Sequence, residues 1–261
     1  MNIERLGTSG PKFVMIHGWA MQTALFEPLM TRWRHTAQLL LVDLPGHGRS
    51  RGDSTPLSPM DNVVNELKKT IGPDAIWLGW SMGGLFALEC ASDPALQARA
   101  FIGLSTTPSF RERDGWPFGL RQKVLQTMRD SVAADAHRTV KEFLQLEVLG
   151  VSRKHPSLVE VSAEAFAHGD PQPKALQEGL DLLEHVDLRN DVTRLNVPNL
   201  WIGGSRDRLV SPQALQASAA LNARGECEII QGAGHAAFIS AADILIEHIE
   251  QFGARHDLGL V

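Results

Sequence analysis

The sequence predicts an α/β fold: a mostly parallel sheet of about seven strands, flanked by helices, with a helical cap inserted between two strands. Three observations carry this. Short runs that are apolar throughout, such as Phe13-Val14-Met15-Ile16 and Ala75-Ile76-Trp77-Leu78, alternate with stretches of helical spacing. Strands buried on both faces belong to a parallel sheet covered by helices on both sides. One run passes through Gly79-Trp80-Ser81-Met82-Gly83-Gly84 into Leu85-Phe86-Ala87-Leu88, a strand, a tight turn and a helix. The alternation then lapses after Thr107 and resumes near Asp187.

Taken in order, residues 12–16 read as the first buried strand, ending in His17-Gly18-Trp19. A helix is expected over about 23–33 and a strand over 38–42, followed by the turn-rich loop Asp43-Leu44-Pro45-Gly46-His47-Gly48-Arg49-Ser50. Val63, Val64, Leu67 and Ile71 share one helical face, so a helix spans about 60–71, with Ser58-Pro59 as its start. The strand before Ser81, its helix and a strand over 99–104 follow. From 108 to 186 no buried strand is evident, and helices are expected near 119–131, 134–149, 157–167 and 173–184. The core is thus assigned to 1–107 and 187–261, and the cap to 108–186. A strand at 199–203, a helix at 212–221, a strand at 227–230 and a helix at 241–252 complete the chain.

Gly79-Trp80-Ser81-Met82-Gly83 has the form of a nucleophile elbow. Lifting a serine hydroxyl off the end of a strand requires a sharp, strained reversal, and the flanking glycines let strand and helix approach without Cβ clashes. The Met82 N–H, at the start of the following helix, is placed to meet an oxyanion. A serine is a poor nucleophile at neutral pH and needs a base, and the base needs a partner that holds its tautomer. In this architecture these partners follow the serine in the order acid, then histidine, on loops at the C-terminal ends of later strands. Asp207 directly follows the strand at 199–203, and His235 directly follows the strand at 227–230. Asp187 and Asp191 are rivals for the acid, but they precede the strand. His47 lies in a turn, and His168 and His185 in the expected cap. The second oxyanion donor should come from the loop after the first strand, which assigns the Trp19 N–H, with His17 pinning that loop.

His17-Gly18-Trp19, Asp43 with Pro45 to Ser50, the elbow, the Asp207 loop and Gly234-His235 resemble the α/β-hydrolase superfamily over nearly the whole chain. The short N-terminus leaves little room for the usual opening hairpin, so one strand fewer than that family's typical eight is expected. Ser81 stands where dehalogenases of the superfamily have a carboxylate. Gly18-Trp19, the elbow with Trp80, and His235-Ala236-Ala237-Phe238-Ile239-Ser240 are more closely similar to carboxylesterases of biotin synthesis, as is Arg138 to Leu144 in the cap. Those enzymes remove the methyl group from pimeloyl-acyl-carrier-protein methyl ester. The resemblance implies an acyl-chain contact at Trp80 and carrier-protein contacts at Arg138, Arg153 and Lys154; Trp19 and Phe143 are further apolar candidates to line the acyl channel, and Lys141 shares a helical stripe with Arg138. Leu25 and Leu209 could also line an acyl channel but read as core. The family pattern has a second arginine one turn after Arg138, whereas this chain has Glu142. Small free esters, lactones, carbon–carbon substrates, or a receptor role on the same fold are the alternatives.

Charge agrees with an acidic partner. Between Trp116 and Pro156 seven basic residues face four acidic ones, in a chain of net charge -5. Such a patch can steer an acidic carrier protein. The overall charge argues against nucleic-acid binding. No apolar run is long enough to span a bilayer, and the N-terminus lacks a signal core, so a cytoplasmic monomer is expected. Cys90 and Cys227 read as buried apolar residues. No cofactor or metal is expected.

Overall fold

The computed structural model describes residues 1–147, 163 and 165–260 of the 261-residue chain. Its sheet contains β1 (Asn2–Leu6), β2 (Lys12–Ile16), β3 (Gln38–Asp43), β4 (Ala75–Trp80), β5 (Ala100–Leu104), β6 (Asn199–Gly204) and β7 (Gly225–Ile230). The spatial order is β1-β3-β2-β4-β5-β6-β7. All neighbours are parallel except β1, which runs antiparallel to β3. The total of seven agrees with expectation, but the first strand lies ahead of residue 12, where none was assigned. Asn2-Ile3-Glu4-Arg5-Leu6 is an edge strand with no fully buried residue, so it lacks the apolar run that betrays the others.

The helices are α1 (Glu27–Trp33), α2 (Asp61–Ile71), α3 (Gly83–Ser92), α4 (Gln122–Ala134), α5 (Ala136–Glu147), α6 (Pro173–His185), α7 (Arg189–Arg194), α8 (Pro212–Ala220), α9 (Ala237–Ser240) and α10 (Ala242–Arg255). The helix expected from residue 23 begins as a 3-10 turn, Thr23–Phe26, and becomes α-helical only at Glu27, just before Pro28. In α2 the buried residues are Val63, Val64, Leu67 and Ile71, the stripe read from the sequence. Gly72 ends it at φ +70°, where a Cβ would be strained. Ser211 caps α8 by accepting from the Ala214 N–H at 3.1 Å, with Pro212 in the first turn.

Between β5 and β6 the described residues form α4, α5, α6 and the short α7. Arg129 of α4 joins Asp181 and Glu184 of α6 at 2.6 and 2.9 Å. The helix expected near 157–167 lies mostly outside the described residues. Two isolated bridges, Arg111 to Leu120 and Arg113 to Trp116, precede α4 and were not anticipated. Among the described residues no helix is long and apolar enough to cross a membrane.

The core places its largest side chains against the sheet. Trp33 packs on Phe13 and Trp201 on Phe101, each pair with ring centroids 5.1 Å apart. Strand order reverses between β2 and β4, because the chain leaves β2 toward β3 on one side and then places β4 on the other. In open α/β sheets such a switch point leaves a crevice at the C-terminal strand ends. His17-Gly18-Trp19 leaves β2 at one wall of that crevice, and Ser81 leaves β4 at the other.

Candidate active site

Ser81 sits between the end of β4 and the start of α3 with φ +54°, a region that non-glycine residues rarely adopt. The surroundings hold it there. Its N–H donates to the Leu104 carbonyl at 3.0 Å. Its own carbonyl accepts from Thr106 Oγ1 at 2.7 Å and from the Gly84 N–H at 2.9 Å. The glycines are required by close approach. A Cβ on Gly79 would lie 2.4 Å from the Gly83 oxygen, and one on Gly83 would lie 2.4 Å from the carbonyl oxygens of Ile16 and His17. Thr106 was not singled out in the sequence, where a hydroxyl two residues beyond β5 gives no periodic signal.

The loops after β6 and β7 are packed directly on one another. A Cβ on Gly204 would fall 2.1 Å from the Ala233 oxygen. The Arg206 N–H donates to that oxygen at 2.9 Å, and the Gly232 N–H donates to Ser205 Oγ at 2.9 Å. This brings Asp207 Oδ2 to 2.8 Å from His235 Nδ1, both side chains being buried. Asp207 Oδ1 accepts from the N–H groups of Leu209 and Val210 at 2.8 and 2.9 Å. The carboxylate is therefore fixed in orientation, with one oxygen for the backbone and one for the imidazole. A carboxylate at Nδ1 holds the ring proton there and leaves Nε2 as the basic nitrogen.

His235 is tied to the elbow through Trp80. The Trp80 indole N–H donates to the His235 carbonyl at 3.2 Å, and the two rings lie 5.8 Å apart. Phe238 packs edge-on against Trp80 at 4.9 Å. On the other side, a Cβ on Gly18 would meet Ser81 Cβ at 3.1 Å and the Trp80 ring at 3.3 Å. The loop after β2 thus lies against Ser81. His17 pins it: Nε2 accepts from the Leu44 N–H at 3.0 Å, and Nδ1 donates to the Gly18 carbonyl at 2.8 Å. Burial holds its pKa below the ordinary histidine value, so the ring is neutral and structural. His47, whose ring lies 5.2 Å from that of His17, is pushed down to about 3 by burial and by its neighbour.

Trp19 is 1% exposed. Its indole N–H donates to the Leu176 carbonyl of α6 at 2.9 Å, and its ring meets Phe143 of α5 edge-on at 4.8 Å. Trp19 and Met82 come together under Gly179 of α6, another residue that the sequence reading did not mark. Leu25 is fully buried core, and Leu209 is partly buried against it.

The rivals lie elsewhere in the bonding pattern. Asp187 pairs with Arg189 at 2.7 Å and Asp191 with Arg194 at 2.5 Å. His168 Nδ1 lies 2.9 Å from Gln22 Oε1, and His185 bonds the Asp181 carbonyl one turn earlier. Arg138 is exposed and held by Glu142 at 2.7 Å; Lys141 is exposed beside them. Arg153 and Lys154 lie outside the described residues. Cys90 is buried, whereas Cys227 is only half-buried on the edge strand β7, a departure from expectation. Among the described residues no three His, Cys, Asp or Glu side chains gather as a metal-ligand set.

Comparison with known proteins agrees with this architecture. Residues 13–247 match the model of an alpha/beta hydrolase family. A protein of Xanthomonas axonopodis pv. citri named pimeloyl-[acyl-carrier protein] methyl ester esterase is 42% identical over 254 residues, covering 97% of this chain and 99% of its own. A protein of the same name from Stenotrophomonas maltophilia is 42% identical, covering 97% and 96%. Among solved structures, an esterase from Exiguobacterium antarcticum superposes with a TM-score of 0.83 at 22% identity, covering 96% of this chain and 94% of that one. That likeness shows the fold alone. The parallel sheet with its switch-point crevice, the strained serine after β4 and the near full-length relatives together show that this chain belongs to the alpha/beta hydrolase family.

Proposed function

We propose that this protein is a serine carboxylesterase that cleaves the methyl ester of pimeloyl-acyl-carrier protein in biotin synthesis. The observation that carries the hydrolytic reading is the buried Asp207–His235 bond at 2.8 Å, set beside a serine held at φ +54°. The substrate rests on near full-length relatives of that name at 42% identity.

In this reading Ser81 Oγ attacks the ester carbonyl, and its proton passes to His235 Nε2. The carbonyl electron pair moves onto oxygen, where the backbone N–H groups of Trp19 and Met82 stabilise it. Asp207 holds the ring in the required tautomer and stabilises the imidazolium. The tetrahedral intermediate collapses, the C–O bond to the methoxy group breaks, and His235 returns the proton to release methanol. Water, deprotonated by the same nitrogen, then cleaves the acyl-enzyme and restores Ser81. No cofactor or metal enters these steps.

Residues 108–186 act as a cap over the 1–107 and 187–261 core. Trp19, Trp80 and Phe143 form the apolar wall beside the acyl chain. Arg138 and Lys141, with Arg153 and Lys154, receive the acidic carrier protein, and the protein works as a cytoplasmic monomer. The test is complementation of a biotin-requiring strain that lacks this esterase. Growth without biotin, lost on Ser81→Ala, supports the reading. Absence of growth with the protein expressed and active on a short aryl ester would assign it to another ester.

A further inference from the structure

Gly179 lies in the middle of α6, buried, where a glycine is less favourable than an alanine for the helix itself. Its backbone is not among those with positive φ, so no turn requires it. The space requires it instead. A Cβ there would lie 2.6 Å from Trp19 Cδ1, 3.0 Å from Met82 Sδ and 3.1 Å from Trp19 Nε1. These nearest atoms all belong to the two residues whose N–H groups form the proposed oxyanion hole. Met82 ends in a flexible thioether that can give way. Trp19 cannot move so easily, because its indole is bonded to the Leu176 carbonyl of the same helix and its ring meets Phe143 of α5.

From this juxtaposition we infer that Gly179 is a positioning residue for the oxyanion hole: α6 seats its glycine on Trp19 and Met82 and thereby sets where their N–H groups point. The inference rests on the esterase reading above. Gly179 touches no substrate and acts only through Trp19 and Met82. A helix remote in sequence from the serine, histidine and aspartate thus bears on charge stabilisation in the transition state. Small displacements of preorganised donors are costly, because their worth depends on being aimed in advance.

The experiment compares Gly179→Ala, Trp19→Phe and the double variant on a short-chain aryl ester, with a trifluoromethyl ketone as probe. Ser81 adds to that ketone and leaves an oxyanion in the hole, so its affinity reports donor alignment. Trp19→Phe removes the five-membered ring that a Cβ at 179 would strike. Gly179→Ala should lower kcat by about ten- to hundredfold, with KM within about twofold. The inhibition constant for the ketone should rise by the same factor as kcat/KM falls. The pH profile of kcat/KM should keep its shape, since Gly179 touches neither Asp207 nor His235. In the Trp19→Phe background the alanine should cost less than about threefold, since contacting residues couple. Unchanged kcat and ketone affinity in Gly179→Ala would overturn the inference, as would an undiminished loss in the Trp19→Phe background. If Gly179→Ala does not fold, the double variant decides. A folded double variant with the activity of Trp19→Phe supports the inference, and an unfolded one means that α6 needs the glycine for itself. A wild type that is folded yet inert toward the ester and the ketone would overturn the esterase reading and this role with it. Wild-type turnover with an indifferent Gly179→Ala overturns only the role.

Discussion

His235 Nδ1 and Asp207 Oδ2 are 2.8 Å apart, and the other Asp207 oxygen is occupied by the N–H groups of Leu209 and Val210. The second half of this arrangement gives the first its direction. An asparagine at 207 would satisfy Leu209 and Val210 with its oxygen and turn its NH₂ toward His235. The imidazole would then carry its proton on Nε2, the nitrogen that should accept one from Ser81. Asp207→Asn should therefore fold normally and lower kcat by a factor on the order of 10⁴. Steady-state kinetics with an unchanged melting temperature check this. Near-normal turnover would return Asp187 or Asp191 to consideration.

Ser81 stores backbone strain at φ +54°. Alanine keeps the Cβ and the strain, whereas glycine adopts this conformation freely. Both Ser81→Ala and Ser81→Gly should lose labelling by a fluorophosphonate probe. Denaturant unfolding should find Ser81→Gly the more stable of the two by about 1 kcal/mol. Equal stabilities would mean that the elbow is relaxed.

The buried pair His17 and His47 predicts a pH dependence of stability. Both are neutral in the fold, with pKa values below the ordinary 6.5, and His47 at about 3. The unfolded chain therefore binds more protons below pH 6.5, and stability falls as pH falls from 6.5 toward 3. For His47 alone the loss is about 2 kcal/mol by pH 5, at about 1.4 kcal/mol per pH unit. Urea unfolding across this range should show the decline, and His47→Gln should make it shallower. An identical slope in that variant would mean that His47 is protonated in the native state.

The exposed pair Arg138–Glu142 bears on carrier recognition. Glu142 occupies the guanidinium that is proposed to meet the carrier. Glu142→Ala should lower KM for a carrier-bound ester severalfold. Reversing Arg138 and Lys141 to Glu should raise it, with little change in kcat. Neither should affect a small soluble ester, and added salt should shrink both differences. Equal effects on both substrates would point to a disturbed helix.

Much of this was legible in the sequence, for identifiable reasons. Strands β2 to β6 are apolar on both faces, so composition alone exposes them. Ser81 and Asp207 each follow such a strand, His235 follows the half-buried edge strand β7, and the order serine, acid, histidine along the chain singles out all three. What escaped detection lacks a one-dimensional signature. β1 is an edge strand with no fully buried residue and no apolar run, and α7 has six residues with only Val192 buried. Thr106 acts through one hydroxyl. Gly179 is an ordinary letter in an amphipathic helix, and its meaning appears only when Trp19 and Met82 are seen beneath it. The signal that could have found it is a glycine interrupting the otherwise helix-favouring run Lys174 to Glu184.

The most direct test of the central claim is hydrolysis of purified pimeloyl-acyl-carrier-protein methyl ester, followed as release of methanol and of the free-acid carrier product. The wild type should convert it at a kcat/KM well above that for the same methyl ester on a small soluble thiol, and Ser81→Ala should convert neither. An intact carrier-bound ester in the presence of enzyme that turns over small esters would contradict the account.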